Sequence, residues 1–291
     1  MASILGVFAA RKNAESTNIK QPLAMISLAD APTARLCCDA GVDAILVGDS
    51  LGNVVLGYEN TVSVSTEEMR IFTAAVARGA KSSRNPQTPV VADLPFGSYT
   101  TIESATRNAT ELLRAGAHAV KLEGAGKSSL AAVRALCEMG APVMGHLGFT
   151  PQSSLRLGGI VQGKTAEAAE KLLNDARALQ DAGCFSIVLE AVTSEAASRI
   201  TRELEIATIG IGAGTGCEGQ VLVWHDLAGM SEGKPFRFVR RFAQTHETLS
   251  QAARDYVSAV HSQEFPSEAH GWTMAPDELQ KWDTDKNGSD G

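Results

Sequence analysis

Eight short, nearly continuous apolar runs punctuate this chain, at residues 23–28, 44–50, 89–94, 119–123, 142–147, 185–190, 207–212 and 221–226. A strand that stays apolar along its length, instead of alternating, is covered on both faces, which is the habit of parallel strands packed between helices. The intervening segments 66–79, 101–115, 165–183 and 194–204 carry apolar residues at helical spacing. Their starts hold capping residues (Ser65 or Thr66 ahead of Glu67 and Glu68, Thr100 or Thr101 ahead of Glu103), and several stop at Ala-Gly pairs such as Ala115-Gly116 and Ala182-Gly183. Eight strands alternating with helices over about 250 residues predict a closed (β/α)8 TIM barrel. Strand count does not establish closure, and the gap before Val221 is too short for a full helix, so an open doubly wound sheet is the competing architecture.

The expected organisation is an N-terminal extension over 1–20, a catalytic barrel over 21–271 and a polar, acidic, disordered tail over 272–291. Residues 236–261 read as one long helix with Phe238, Phe242, Leu249, Tyr256 and Val260 along one side. The Gly- and Ser-rich stretch 151–163 is longer than an ordinary βα turn and reads as a mobile lid. With 26 basic against 33 acidic residues, the net charge of −7 excludes a nucleic-acid partner, which needs a basic stripe. No apolar run approaches the roughly 20 residues that span a bilayer, and the opening has no basic leader, so a cytoplasmic protein with no membrane partner is expected. Five cysteines, an odd number without CxxC spacing, read as reduced thiols.

In a (β/α)8 barrel the chemistry sits at the C-terminal ends of the strands. Those ends are acidic here: Val47-Gly48-Asp49-Ser50, Ala92-Asp93-Leu94-Pro95, Lys121-Leu122-Glu123 and Leu189-Glu190, with Gly145-His146-Leu147 between them. Neighbouring strands would bring Asp49, Asp93 and Glu123 to one rim, where three unpaired carboxylates repel one another. A divalent cation removes the conflict, and an all-oxygen ligand set suits Mg²⁺. Lys121 lies two residues before Glu123 on the same strand face and is placed to bind a substrate carboxylate. Any single strand-end Asp is as well explained by capping or by a nearby Lys; the set of four carboxylates is what points to a site. Glu190 closes an apolar run, a setting that favours a general base, with a buried pair to Lys or His as the structural alternative. His146 is a candidate for orienting substrate or water, with plain packing as its alternative. The glycines 210, 212 and 214 resemble a phosphate cradle but read better as a tight turn.

These residues fall within longer motifs: Val47 to Gly52, Ala92 to Phe96, Val120 to Gly124, Gly145-His146-Leu147-Gly148-Phe149-Thr150-Pro151-Gln152, and Ile209 to Gly214, supported by Gly219-Gln220-Val221, His225-Asp226 and Phe265-Pro266 with His270. In this order and spacing the chain resembles the ketopantoate hydroxymethyltransferase (3-methyl-2-oxobutanoate hydroxymethyltransferase) family over about residues 20–271. The resemblance implies a Mg²⁺-dependent, class II aldolase-like enzyme of pantothenate biosynthesis on a barrel of the phosphoenolpyruvate mutase/isocitrate lyase type. It implies Mg²⁺ on Asp49, Asp93 and Glu123, a 2-oxo acid on Asp49, Ser50, Asp93 and Lys121, and the base at Glu190. It also implies 5,10-methylenetetrahydrofolate as one-carbon donor and a cytoplasmic homo-oligomer, usually a decamer. The sequence departs from the family pattern at Ala29, at Val62-Ser63-Val64-Ser65, at Phe72 and at Glu218. These departures leave open a divergent paralogue running another Mg²⁺-enolate aldol or lyase reaction on a 2-oxo acid, and a catalytically silent barrel serving as a scaffold.

Overall fold

Period-2 alternation along short strands decides which side chains enter the molecule's interior. The computed structural model describes residues 3–12, 21–153, 159–231 and 233–285. Helix α1 (Ile4–Lys12) leads into β1 (Leu23–Ser27), α2 (Ala31–Asp39), β2 (Ala44–Val47), the single turn α3 (Leu51–Val54) and α4 (Thr66–Lys81). Then follow β3 (Val90–Asp93), α5 (Ile102–Arg114), β4 (Ala119–Glu123), α6 (Lys127–Glu138), β5 (Val143–Gly148) and α7 (Ala166–Ala182). The barrel ends with β6 (Ser186–Glu190), α8 (Ser194–Glu203), β7 (Ala207–Ile211), β8 (Gly219–Val223) and the short α9 (Trp224–Leu227). Helices α10 (Thr245–His261) and α11 (Pro276–Asp285) come last. Two compact units result, Met1–Ala243 and Gln244–Gly291. All strand pairs are parallel, and β8 pairs with β1 from Leu23↔Gly219 to Ser27↔Val223, so the sheet is a closed barrel and not an open one.

Inside the barrel Leu23, Met25, Ala44, Leu46, Val91, Ala119, Met144, Val188, Ile209 and Val221 form one buried cluster. The intervening residues of the same strands, among them Ile45, Val90, Ala92, Val120, Leu122, Val143 and Ile187, pack outward against Ala34, Val76, Leu112, Val133, Leu173 and Ile200 of the helices. The helices form where their caps say they should. Ser65 and Glu68 complete a capping box on α4, Thr101 and Thr165 accept from the third amides of α5 and α7, and Gly183 ends α7 at φ 111°.

The expected N-terminal extension turns out to be part of this architecture. Ile4 and Phe8, one helical turn apart, are buried in the interior cluster, and Phe8 meets Phe185 edge-on with centroids 5.1 Å apart. Lys12 binds Glu218 at 2.9 Å and Arg11 binds Asp43 at 3.2 Å, fixing the helix against the end of the barrel remote from the acidic rim. Phe8→Ala is therefore expected to cost about 3 kcal/mol of stability, read as a lowered urea midpoint with an unchanged slope; an unchanged midpoint would mean the helix only rests on the barrel.

Other expectations need correcting. Strand β8 starts two residues earlier than expected and stops at Val223, because Gly219 and Gln220 pair with β1 although neither is apolar. The short gap after β7 does hold a tight turn and no helix, as expected: at Gly212 (φ +65°) a Cβ would lie 2.9 Å from the Phe238 ring, and at Gly214 (φ +77°) 2.7 Å from Ser194 Oγ. The glycine run is thus a close-packed turn. The long helix expected over 236–261 exists only from Thr245. Upstream, Phe238 packs on the interior cluster, Phe236 stacks on it at 5.5 Å and the Phe242 amide donates to Leu227 O, so these aromatics anchor a loop to the barrel unit. Where a disordered tail was expected, Pro276–Asp285 is helical, with Pro276 opening it and Asp277 and Glu278 in the first turn, where acidic groups favour a helix; residues 286–291 lie outside the described residues. The centre of the expected lid, 154–158, also lies outside them; its flanks are the turn Pro151–Ser153 and a bridge from Gln162 to Val192.

Candidate active site

The same strand parity that sends Val91, Ala119, Met144 and Val188 inward sends Asp93, Lys121, Glu123, His146 and Glu190 inward two or four residues later. The polar group is therefore a layer stacked on the apolar interior at the C-terminal rim. Register aligns the layer: Asp93 sits beside Lys121, Glu123 beside His146, and Glu190 beside Gly148 and Ile211. Asp49 joins from the turn after β2. One cavity of about 100 Å³ is lined by Gly48, Asp49, Ser50, Asp93, Lys121, Glu123, His146 and Glu190, with Leu46, Val188, Ile211 and Val221 as its apolar wall. Every residue proposed from the sequence lines it.

Lys121 Nζ lies 3.0 Å from Asp93 Oδ1 and 3.4 Å from His146 Nδ1. His146 bridges two acids, Nδ1 lying 3.2 Å from Glu123 Oε1 and Nε2 lying 3.3 Å from Glu190 Oε2. The Asp49 amide donates to Asp93 Oδ2 at 3.1 Å, and Ser50 Oγ lies 3.4 Å from Ser27 Oγ. Asp49, Asp93, Lys121, Glu123 and His146 are all buried, whereas the Glu190 side chain keeps 19% of its surface exposed. The apolar run suggested a desolvated carboxylate at Glu190. It instead stands partly exposed at the mouth of the cavity, with His146 of the adjacent strand beside it.

Burial, with the charges of Asp93 and Glu123 behind it, pushes the Asp49 carboxyl up to about 8, and burial likewise raises Asp93 despite the adjacent Lys121. Burial pulls on the Lys121 ammonium downward, but Asp93, Glu123 and Asp49 outweigh it and hold its proton more tightly than usual. Burial and Lys121 oppose protonation of His146, yet its contacts with Glu123 and Glu190 win and hold it up at about 9. Fully ionised, the three buried carboxylates would outnumber the two cations, and a hard divalent cation would favour that ionised form. Asp93 Oδ1 sharpens the point: it is a buried carboxylate oxygen that accepts no aligned hydrogen bond, its contact with Lys121 being off-axis. The donor chemistry fits Mg²⁺. Among the described residues no three His, Cys, Asp or Glu side chains close around a common point; Glu123 is engaged with His146, so the acids share a cavity without forming a finished cage.

Two residues carried no role in the sequence reading. Gln152, buried in the turn after β5, donates to Asp49 Oδ2 (2.8 Å) and Leu94 O (3.0 Å), and its amide N–H donates to Glu123 Oε2 (3.1 Å). Tyr99, after β3, donates to Gln152 Oε1 at 2.6 Å. A loop glutamine has no periodicity to betray it; its only signal was membership of the motif that begins at Gly145. The positions that depart from the family pattern fall in several places. Ser65 caps α4, Phe72 packs on the outer core, Ala29 is buried beside the same core, and Glu218 binds Lys12 and Thr208 at the other end of the barrel.

Among the described residues no helix is long and apolar enough to cross a membrane. Comparison with known proteins matches the family model for ketopantoate hydroxymethyltransferase to residues 9–268. The 3-methyl-2-oxobutanoate hydroxymethyltransferase of Thermotoga neapolitana is 51% identical over 256 residues, covering 87% of this chain and 93% of that one. The enzyme of that name from Gluconacetobacter diazotrophicus is 48% identical, covering 90% and 93%. Among solved structures, 2,3-dimethylmalate lyase, a member of the phosphoenolpyruvate mutase/isocitrate lyase superfamily, superposes with a TM-score of 0.55 at 18% identity over 96% of this chain and 99% of its own. Phosphonopyruvate hydrolase, solved with oxalate and Mg²⁺, gives 0.57 at 12% over 96% and 95%. At such identities these two speak for the barrel alone. With a family model spanning most of its length and relatives about half identical over nearly nine-tenths of it or more, the chain belongs to the ketopantoate hydroxymethyltransferase family.

Proposed function

We propose that this protein transfers a one-carbon unit from 5,10-methylenetetrahydrofolate to C3 of 3-methyl-2-oxobutanoate, giving ketopantoate and tetrahydrofolate with water supplying the new hydroxyl. The observation that carries this reading is the meeting of Asp49, Asp93, Lys121, Glu123, His146 and Glu190 in one apolar-walled cavity, in a chain about half identical to enzymes of that name. Asp49, Asp93 and Glu123 would hold Mg²⁺. When bound, the cation supplies Lewis acidity to the oxygens of the oxo acid, which favours loss of the C3 proton.

The chain's own residues do the rest. Lys121, its charge secured by three acids, binds the substrate carboxylate with Ser50, whose hydroxyl is not spent on capping α3. Leu46, Val188, Ile211 and Val221 receive the branched aliphatic end, which fixes C3 towards Glu190. Glu190 takes the proton at one carboxylate oxygen while His146, protonated and anchored on Glu123, orients the carboxylate through Nε2. The folate donor approaches from the open side, where Glu190 is exposed. A cytoplasmic homo-oligomer, a decamer by family resemblance, accompanies this reading, and Leu36, Ile71, Ile102 and Met139, exposed on the outer helices, are surfaces that assembly would cover.

The test is proton exchange at C3 of 3-methyl-2-oxobutanoate in D₂O, followed by NMR. Exchange is expected with Mg²⁺ and without folate, is expected to stop on chelation, and carbon–carbon bond formation is expected only once the folate is added. Bond formation without folate, or no exchange with Mg²⁺ present, would defeat the proposal.

A further inference from the structure

We infer that Gln152 and Tyr99 are positioning residues that set the aim of the acidic cluster, and thereby its affinity for a divalent cation. This inference rests on the metal-dependent reading above and deepens it.

The neighbours of the Gln152 amide fix its orientation. Leu94 O can only accept, so the atom 3.0 Å from it must be the amide nitrogen; the second hydrogen on that nitrogen then goes to Asp49 Oδ2. Oε1 is left for Tyr99, whose hydroxyl must donate and whose oxygen is free to accept from the Glu123 amide at 3.4 Å. The result is a directional chain: Glu123 N–H to Tyr99 O–H to Gln152 Oε1, then Gln152 Nε2–H to Asp49 Oδ2, then Asp49 N–H to Asp93 Oδ2. It crosses three strand ends and two loops without a gap.

The chain treats the three acids alike. Each has one oxygen tied by a neutral N–H donor: Asp49 Oδ2 by the Gln152 side chain, Asp93 Oδ2 by the Asp49 backbone, and Glu123 Oε2 by the Gln152 backbone. Of the other oxygens, Asp93 Oδ1 faces Lys121 and Glu123 Oε1 faces His146. Partners of this kind fix ligand rotamers and tune ligand basicity. Gln152 supplies two of the three ties, and Tyr99 holds Gln152 in the one orientation that works. A Gln152 amide turned over would set its nitrogen against the Tyr99 hydroxyl and its oxygen against Asp49 and Leu94 O.

The experiment measures Mn²⁺ binding alone, by calorimetry and by the electron paramagnetic resonance of the free ion, for the full-length protein, Tyr99→Phe, Gln152→Leu and the double variant. Loss of outer partners typically weakens metal binding by about 10–100-fold, and Gln152→Leu is expected in that range. Tyr99→Phe keeps the ring and the fold but frees the amide to rotate, and is expected to weaken binding less than Gln152→Leu does. The double variant should bind no worse than Gln152→Leu, because Tyr99 acts through Gln152. The bound-ion resonance is expected to broaden in both single variants, a change that a merely structural role would not produce. Unchanged Mn²⁺ affinity in both single variants, with binding intact in the parent, would overturn the inference and leave the proposed function standing. Additive losses in the double variant would overturn the linear chain. No binding by the parent protein would sink the metal-dependent reading and this inference with it.

Discussion

Glu190→Gln is expected to slow C3 proton exchange by about 10²–10⁴-fold, the range over which a positioned general base acts, while Mg²⁺ affinity stays within about twofold. The substitution keeps the shape of the side chain and its reach to His146 Nε2, so it removes proton affinity and little else. Glu190 also stands apart from the acids bound by Gln152 and by the Asp49 backbone, which is why metal binding should survive. The measurements are deuterium incorporation at C3 with Mg²⁺ saturating, and calorimetric Mg²⁺ titration of the same sample. The two readings are independent. Exchange at the parental rate would move the base to another group. Loss of Mg²⁺ binding would instead make Glu190 part of the cation site.

How far the sequence could be trusted follows from the physics of each element. Parallel strands buried on both faces announce themselves as apolar runs, so all eight were found, and β4 matches the expected 119–123 residue for residue. Period-2 alternation then dictated that Lys121 and Glu123 share a face, as they do. Closure was not legible, because the β1–β8 hydrogen bonds join residues about two hundred positions apart and leave no mark in either segment. Helix α1 was not legible because only two of its side chains, Ile4 and Phe8, are fully buried, too few to form a periodic signal.

Aromatics misled in the other direction. Phe238 and Phe242 share helical spacing with Leu249, but the Phe238 ring and the Phe242 backbone amide tie a loop to the barrel unit, and helix α10 begins only at Thr245. Burial at Glu190 was over-read for a related reason: an apolar run tells what surrounds a strand's middle, whereas its last residue faces the mouth of the cavity. Gln152 shows the limit most clearly. Its importance lies in four hydrogen bonds to residues from 29 to 103 positions away, and no local pattern encodes that.

Lys121→Met is expected to separate what this cation does for stability from what it does for substrate. Removing one partner of a buried charge pair typically costs about 3–5 kcal/mol, and here Asp93 would lose its ion-pair partner while Asp49 and Glu123 would lose a neighbouring positive charge. The loss should depend on pH in a defined direction. Asp49 holds its proton up to about 8 in the folded protein, whereas an aspartate in the unfolded chain releases it near about 4. Folded protein therefore binds more protons between these values, and without added metal its stability falls as pH rises through that window. Without Lys121 the acids hold their protons more tightly still, so the fall should be steeper in the variant, visible as a melting temperature that drops further between pH 5 and pH 8 (chosen to lie within that window). Mg²⁺ should recover much of the lost stability in parent and variant alike, most at the alkaline end, because it binds the ionised acids. It should not recover affinity for 3-methyl-2-oxobutanoate, since the group that meets the substrate carboxylate is gone. Melting curves without metal that are flat from pH 5 to 8 would contradict the buried, mutually repelling cluster, and full oxo-acid affinity in the Mg²⁺-loaded variant would remove Lys121 from the binding site.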